Sequence, residues 1–453
     1  MDSIIQQISE EFIKAEMELK VEQGLTAYLE DSMENFKRYL MRLLPERIRE
    51  LDESIARHRS IRPNWLVVHK AVKRELVTAY GVLRYERRYY RNKKTGDYAY
   101  LADQLLGVEA YERVELGLGS QLCQLATEQS YARSSEQACG GAVSRQTVMK
   151  KTRQVEEKPL EPETIREDVS VLHIQVDEDH VAMQDGRRDS MVKLAAIHEP
   201  IRRHKKRAYL PYRYCLSSYN EDPEDFWLRI AQEISKRYAN AEQLKIYIHG
   251  DGAAWIKSGL EWLPNSRFVL DKFHVRQYMR PVAGGEQAYM DLMWDCLKED
   301  DYKMLKEFVK TFIDQETCSQ EAGETFLRYV KNNWHGIAIW SDYKESAGGS
   351  CAEGLVSHIL SDRLSSRPKA WLDEGLETVS RLRVYRSNGG QIAPDDLRRS
   401  HNKAAVNQKK VTKLMAKTAS RFAPLPTNVF KTDKRTTSLH RLYDAIKHGG
   451  MVI

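Results

Sequence analysis

The chain has 453 residues, 42% hydrophobic and 30% charged, enough for two or three domains around a sizeable core. Its net charge of +6 is mild, and neither a low-complexity tract, a signal peptide nor an apolar run of the ~18–20 residues needed for a membrane span occurs. Six cysteines are scattered without a C-x-x-C pair, which argues against a zinc ribbon or a disulfide framework and points to a reduced, cytoplasmic setting.

From Ile4 to about Ile55, apolar residues recur at steps of three and four: Ile5, Ile8, Phe12, Ala15 and Leu19, then Phe36, Leu40, Leu43 and Leu44. Charges fill the other faces, so the region 1–75 is expected to be helical, either packed on itself or serving dimerisation. Pro45 predicts a break or the first turn of a new helix.

Val77–Tyr90 is rich in Tyr, Val and Arg, and the turn Asn92–Asp97 leads into Tyr98–Leu101. That is the pattern of a basic, aromatic β-hairpin, with Arg84, Arg87, Arg88 and Arg91 facing either phosphates or solvent. From Gln121 to Val155 the pattern turns helical. Ser134–Cys139, the pair Gly140-Gly141 and a helix opened by Ser144 have the parts of a helix-turn-helix. Arg145, Gln146, Thr147 and Lys150 would open its second helix, where base-reading side chains sit. The span 76–165 is therefore expected to bind DNA, and Glu156–Arg166 to be a linker.

Leu172-His-Ile-Gln-Val-Asp177 alternates apolar and polar residues, as a half-buried strand does, and Asp177 is expected where that strand stops. Asp185-Gly186 turns the chain into Met191–His198, and Ala208–Ser217 makes a third strand. An amphipathic helix follows over Pro223–Tyr238. A further aliphatic strand, from Leu244, ends in Gly250-Asp251-Gly252, and Arg267–Leu270 is a last short strand. Three antiparallel strands, a helix and a further strand match the order of a ribonuclease-H-like fold. The expected class is thus α/β: a ribonuclease-H-like catalytic core (166–285 and 346–390), an all-α insertion (286–345) and a preceding, mostly helical DNA-binding region. Gly348-Gly349-Ser350 reads as a hinge, followed by a helix carrying Glu353 near its start. The segment 391–453 is a basic tail: Leu397–Lys447 holds thirteen Lys and Arg against two acids, suited to a polyanion.

Two carboxylates at adjacent strand ends repel unless a cation lies between them. Asp177, Asp251 and Glu353, separated by 74 and 102 residues, are the candidate metal ligands and catalytic residues. Three carboxylates suit two Mg²⁺ ions, with Mn²⁺ able to substitute, since hard cations prefer oxygen ligands. Two such ions stabilise the attacking and leaving oxygens of an in-line phosphoryl displacement.

These residues carry a resemblance. Val176-Asp177-Glu-Asp-His180, His249-Gly-Asp251-Gly-Ala-Ala-Trp255, Leu270-Asp271-Lys-Phe-His274 and the long stretch from Ala352-Glu353-Gly-Leu-Val-Ser-His358 through Arg363 and Arg367 to Trp371 resemble the ISLre-type bacterial insertion-sequence transposases, a branch of the DDE transposases. The resemblance covers nearly the whole chain. It implies movement of a DNA element, with the N-terminal part binding terminal inverted repeats, and a nucleoid-associated protein acting on double-stranded element and target DNA as a homodimer or higher oligomer. It also implies supporting roles for Asp271 and His274, orienting a scissile phosphate or a ligand acid. Arg363 and Arg367 are expected on phosphates, and Trp255 and Trp371 either on an unpaired base or in the core. Two other readings are a catalytically silent DNA-binding protein and a ribonuclease-H-like nuclease without strand transfer.

Overall fold

The computed structural model describes residues 2–187, 190–205, 207–340, 350–398 and 409–412. The expected hinge at Gly348-Gly349 and nearly all of the basic tail lie outside them. The chain divides into two compact units, Met1–Glu115 with Arg398–Ile453, and Leu116–Leu397. The boundary falls inside the span 76–165 that the sequence suggests as one DNA-binding region.

In the first unit, α1 (Asp2–Glu18) lies against α2 (Leu25–Arg57). Phe12 packs on Tyr39 at 4.7 Å between ring centroids, and Ser32 donates to Glu16 at 2.7 Å. Pro45 does not break α2. It lies inside the helix, because Leu44 and Ile48 on either side are gripped by Leu76, Leu83 and Tyr85, and that packing outweighs one lost backbone hydrogen bond. A long hairpin follows, β1 (Trp65–Thr78) antiparallel to β2 (Gly81–Asn92), with a two-residue β3 (Tyr98–Ala99) beside β2 and then α3 (Leu101–Leu106). Strand β1 is the element missed in the sequence. Its run from Val68 to Glu75 is mostly exposed, so it lacks the apolar alternation that marks a half-buried strand.

The second unit opens with three mutually packed helices: α4 (Leu116–Glu128), α5 (Tyr131–Cys139) and α6 (Arg145–Arg153). Ser130 and Ser144 cap α5 and α6 by accepting from the N–H groups of Arg133 and Thr147 at 3.3 and 3.2 Å. Five strands follow: β4 (Val171–His180), β5 (Met191–His198), β8 (Tyr214–Tyr219), β9 (Lys245–Gly250) and β10 (Ser266–Leu270). They form a sheet of order β10-β9-β4-β5-β8. β5 runs antiparallel to both of its neighbours, β4 and β8, whereas β9 and β10 run parallel to β4. The third strand starts at Tyr214 rather than Ala208. Arg207–Tyr209 (β7) pairs instead with Arg202–His204 (β6), and Pro211, with no N–H to give, and Tyr212, at φ 50°, separate that ribbon from the sheet.

Leu172, Ile174 and Val176 pack with Ala195 and Ile197 against α7 (Pro223–Arg237) through Phe226, Trp227 and Ile230. That core continues through α8 (Ala254–Lys257), α9 (Gly259–Trp262), α10 (Lys272–Val282), α11 (Gln287–Lys298), α12 (Tyr302–Asp314), α13 (Gln320–Asn332) and α14 (Trp334–Ala338). The helical stretch therefore shares the sheet's core instead of owning a separate one. The opposite sheet face, with Val192, Leu194 and Ala196, packs against α15 (Ala352–Val356), a π-helical turn over Ser357–Ser361, α16 (Asp362–Leu364) and α17 (Asp373–Ser387).

Candidate metal centre

β9 pairs with β4 only as far as Gln175, which sits opposite His249. Two residues further on, Asp177 and Asp251 leave the ends of the paired register side by side. β4 itself runs on to His180, three residues past Asp177, because β5 still pairs with it there. β10 ends opposite Gly250, and Asp271 follows it. Three parallel strands thus each carry an aspartate just beyond their parallel pairing, the edge at which open α/β sheets hold ligands.

Asp271 Oδ1 caps α10 by accepting from the N–H of Phe273 at 2.9 Å, and its Oδ2 lies 3.2 Å from Nδ1 of His274, one turn on. That contact engages Nδ1 as a donor and leaves Nε2 to the strand ends. From the opposite side, α15 brings Glu353. Donor atoms of Asp177, His274 and Glu353 all lie within 4.8 Å of one another. Of the sequence triad, Asp177 and Glu353 are therefore brought together. Asp251 stands beside them but outside this cluster, and His274, read from the sequence as a supporting residue, takes its place. Asp251 is held by a turn in which its Oδ1 accepts from Ala253 N–H at 2.9 Å, while Tyr329 Oη donates to its carbonyl at 2.8 Å. Gly252, at φ +95°, is required here: a Cβ would stand 2.2 Å from Asn333 Oδ1.

Burial pushes the Asp177 carboxyl up to about 7, with Glu353 and Asp251 adding to the rise while the Glu178 N–H and His274 oppose it. Burial works to lower the His274 pKa, but the bond to Asp271 and the charges of Asp177, Asp271 and Asp251 outweigh it and raise it. Asp177 Oδ1 accepts from the N–H of Glu178 at 2.9 Å, whereas its buried Oδ2 has no hydrogen-bond partner. A buried carboxylate oxygen without a donor, facing a second carboxylate and an imidazole, fits a divalent cation. Asp179 is also buried: its Oδ1 accepts from Ser361 and Ser365 Oγ at 2.9 and 2.7 Å, while its Oδ2, like that of Asp177, has no hydrogen-bond partner.

The expected DNA contacts divide. Arg145, Gln146 and Lys150 are exposed on α6 and Thr147 is half-buried, and Arg367 is exposed. Arg363 is not on the surface: it is 6% exposed, donates Nε to the carbonyl of Ala126 at 3.1 Å and lies over the Trp371 ring at 4.7 Å. A guanidinium so enclosed holds α16 to α4 and cannot meet a phosphate. In the first unit, Arg87 is sealed against Asp103 at 2.8 Å, and Arg88 reaches Asp52 at 2.6 Å. Arg84 and Arg91 remain exposed. Trp371 is in the core, its Nε1 donating to Leu364 O at 2.9 Å, and half-buried Trp255 packs near Trp227 and donates to Glu178. No described helix is long and apolar enough to cross a membrane.

Residues 21–400 match the model of a family described as an uncharacterised protein family (UPF0236). Among similar proteins is a UPF0236 protein of Caldanaerobacter subterraneus subsp. tengcongensis, 37% identical over 415 residues, which cover 89% of this chain and 89% of the relative. Another from that organism is 36% identical over 415 residues, covering 89% of this chain and 88% of the relative, and its name joins eleven locus designations.

Proposed function

The chain belongs to the UPF0236 family, and we propose that it is an insertion-sequence transposase, a DDE-type enzyme that binds the terminal inverted repeats of its element and catalyses metal-dependent DNA strand cleavage and strand transfer. The observation that carries this reading is the convergence of Asp177, His274 and Glu353 within 4.8 Å, beside Asp251, at the ends of parallel strands. The order β10-β9-β4-β5-β8, with three antiparallel strands and two parallel to the first, supports a ribonuclease-H-like core. A relative named by eleven loci of one genome supports a segment that copies itself.

Mg²⁺, or Mn²⁺ in its place, would supply Lewis acidity and a water or 3′-hydroxyl activated at neutral pH. Asp177 Oδ2, a Glu353 carboxylate oxygen and His274 Nε2 would hold one ion, with Asp251 positioned toward a second. The chain's own contribution is to fix these donors: Asp271 sets the His274 ring, and the turn after β9 sets Asp251. Exposed Arg145 and Gln146 at the start of a Ser-capped helix, with exposed Lys150 in its last turn, suit the groove of duplex DNA, and Arg367 its backbone.

A second copy of the chain fits the first unit. Leu25, Leu29 and Met33, at steps of four along α2, are 68%, 58% and 51% exposed, and Phe36 extends the stripe. Acids Glu30, Asp31 and Glu34 precede bases Lys37, Arg38 and Arg42 along this helix, so two copies aligned antiparallel oppose unlike charges. Joining two element ends calls for at least two copies.

The test is made in cells. A marker flanked by the element's ends is placed on a plasmid with the wild-type gene or with Asp177→Ala, Asp251→Ala or Glu353→Ala. Excision or new insertions with the wild type alone support the transposase. End binding without rearrangement points to a DNA-binding protein, and breakage without joining to a nuclease.

A further inference from the structure

The side chains two residues either side of Asp177 share its face of β4, because strand side chains alternate. Both reach the segment that carries Glu353. At one end, Gln175 Oε1 accepts from the N–H of Cys351, the residue opening α15, and from Ser350 Oγ, each at 3.2 Å. At the other, Asp179 Oδ1 takes the hydroxyls of Ser361 and Ser365. We propose that Gln175 and Asp179 are positioning residues, a two-ended clamp that fixes the Glu353 carboxylate over Asp177. This rests on the metal-centre reading above.

The amide of Gln175 has a single workable orientation. A backbone N–H only donates, so Oε1 must face Cys351 and Nε2 must face His198, 3.2 Å away. His198 Nε2 then accepts, and its Nδ1 donates to the Glu199 carbonyl at 2.6 Å. A chain of donors and acceptors thus runs from β5 through β4 to the first turn of α15, all of it buried around Gln175 and His198. The spans agree as well. Four strand residues from Gln175 to Asp179 cover about 13 Å, and ten helical residues from Cys351 to Ser361 cover about 15 Å.

The π-helical turn over Ser357–Ser361 supplies the phase. In an unbroken α-helix, eight steps from Glu353 to Ser361 leave the two side chains about 80° apart. A π turn accommodates one surplus residue, so the rotation matches about seven steps and brings them within about 20°. Glu353 can then face Asp177 while Ser361 and Ser365 face Asp179.

The experiment titrates Mn²⁺ into the full chain by calorimetry, for wild type, Asp177→Ala, Gln175→Ala, Asp179→Ala and Asp179→Asn, with thermal melts to confirm folding. Amide exchange is followed over residues 350–356. An asparagine keeps the Oδ1 acceptor but not the charge. The clamp predicts that the folded Gln175→Ala and Asp179→Ala proteins bind Mn²⁺ tenfold or more weakly, as loss of an outer partner does. Asp179→Asn stays within threefold of wild type, and exchange near Cys351 quickens in Gln175→Ala. Equal weakening by Asp179→Asn and Asp179→Ala would overturn the clamp by making Asp179 itself a ligand. Wild-type affinity in both alanine variants, with Asp177→Ala inactive in binding, would overturn it while leaving the metal centre intact. Absence of Mn²⁺ binding in the wild type overturns the metal reading and the clamp together.

Discussion

Asp271 Oδ2 lies 3.2 Å from Nδ1 of His274, within one turn of α10, and this contact decides which ring nitrogen looks toward Asp177 and Glu353. A carboxylate behind an imidazole raises its basicity and fixes its tautomer. Asp271→Asn is expected to keep the helix cap, lower the His274 pKa and weaken divalent-ion binding about tenfold. Titration of the His274 ring by NMR, followed by Mn²⁺ calorimetry, measures both.

Asp177 ties stability to pH. Its folded pKa, about 7, exceeds the ordinary aspartate value of 3.8, so between those values the folded state holds a proton that the unfolded state releases. Stability of the metal-free protein therefore falls as pH rises from about 4 to 7 and then levels. The raised pKa of His274 acts in the same direction, its contribution being lost as pH climbs. In EDTA, Asp177→Asn should melt higher than wild type at pH 8, by on the order of 2–4 kcal/mol, with the difference vanishing near pH 4. A flat difference across that range would contradict the assignment.

Arg363 and Arg367, four residues apart, should fail in different ways. Arg363→Ala leaves the Ala126 carbonyl without its donor and opens a void beside Trp371, so a loss of about 2–4 kcal/mol in denaturant unfolding is expected. Arg367→Ala should change stability by less than about 0.5 kcal/mol and lower DNA affinity, reducing the salt slope of binding by about 1. Arg145→Ala and Gln146→Ala should weaken binding to the element's ends more than to unrelated duplex.

The exposed stripe on α2 predicts its own test. Leu29→Glu with Met33→Glu puts charges in the middle of the apolar face and should convert a dimer into a monomer by light scattering, without lowering the helix content. An unchanged mass would place the stripe against something other than a second copy.

The sheet and the aspartates Asp177 and Asp251 were legible because period-two alternation around Asp177 and the aliphatic run before Asp251 leave few other folds for those stretches, although β4 runs on past Asp177 to His180. Glu353 was legible through its place at the head of a helix. His274 was readable only as a neighbour of the site, since its approach depends on the cap made by Asp271 and on β10 lying parallel to β9. Gln175 and Asp179 were hidden for a related reason: in sequence they are merely the polar half of an alternating strand. Arg363 was expected on a phosphate, and Arg87 and Arg88 on phosphates or in solvent, because charge in a sequence carries no sign of burial; packing shows Arg363 and Arg87 enclosed by carbonyls or a carboxylate and half-buried Arg88 paired with Asp52. Strand β1 escaped because most of its central residues are solvent-exposed, so hydrophobic periodicity had nothing to report.

The most direct measurement is strand cleavage by the purified chain on a duplex carrying the element's own end, with Mg²⁺ and with EDTA, comparing wild type with Asp177→Ala, Asp251→Ala, His274→Ala and Glu353→Ala. The account predicts nicking at the element boundary that needs the metal and is lost by at least about a hundredfold in the three acid variants. Metal-independent cleavage, or cleavage that survives Asp177→Ala, would contradict it.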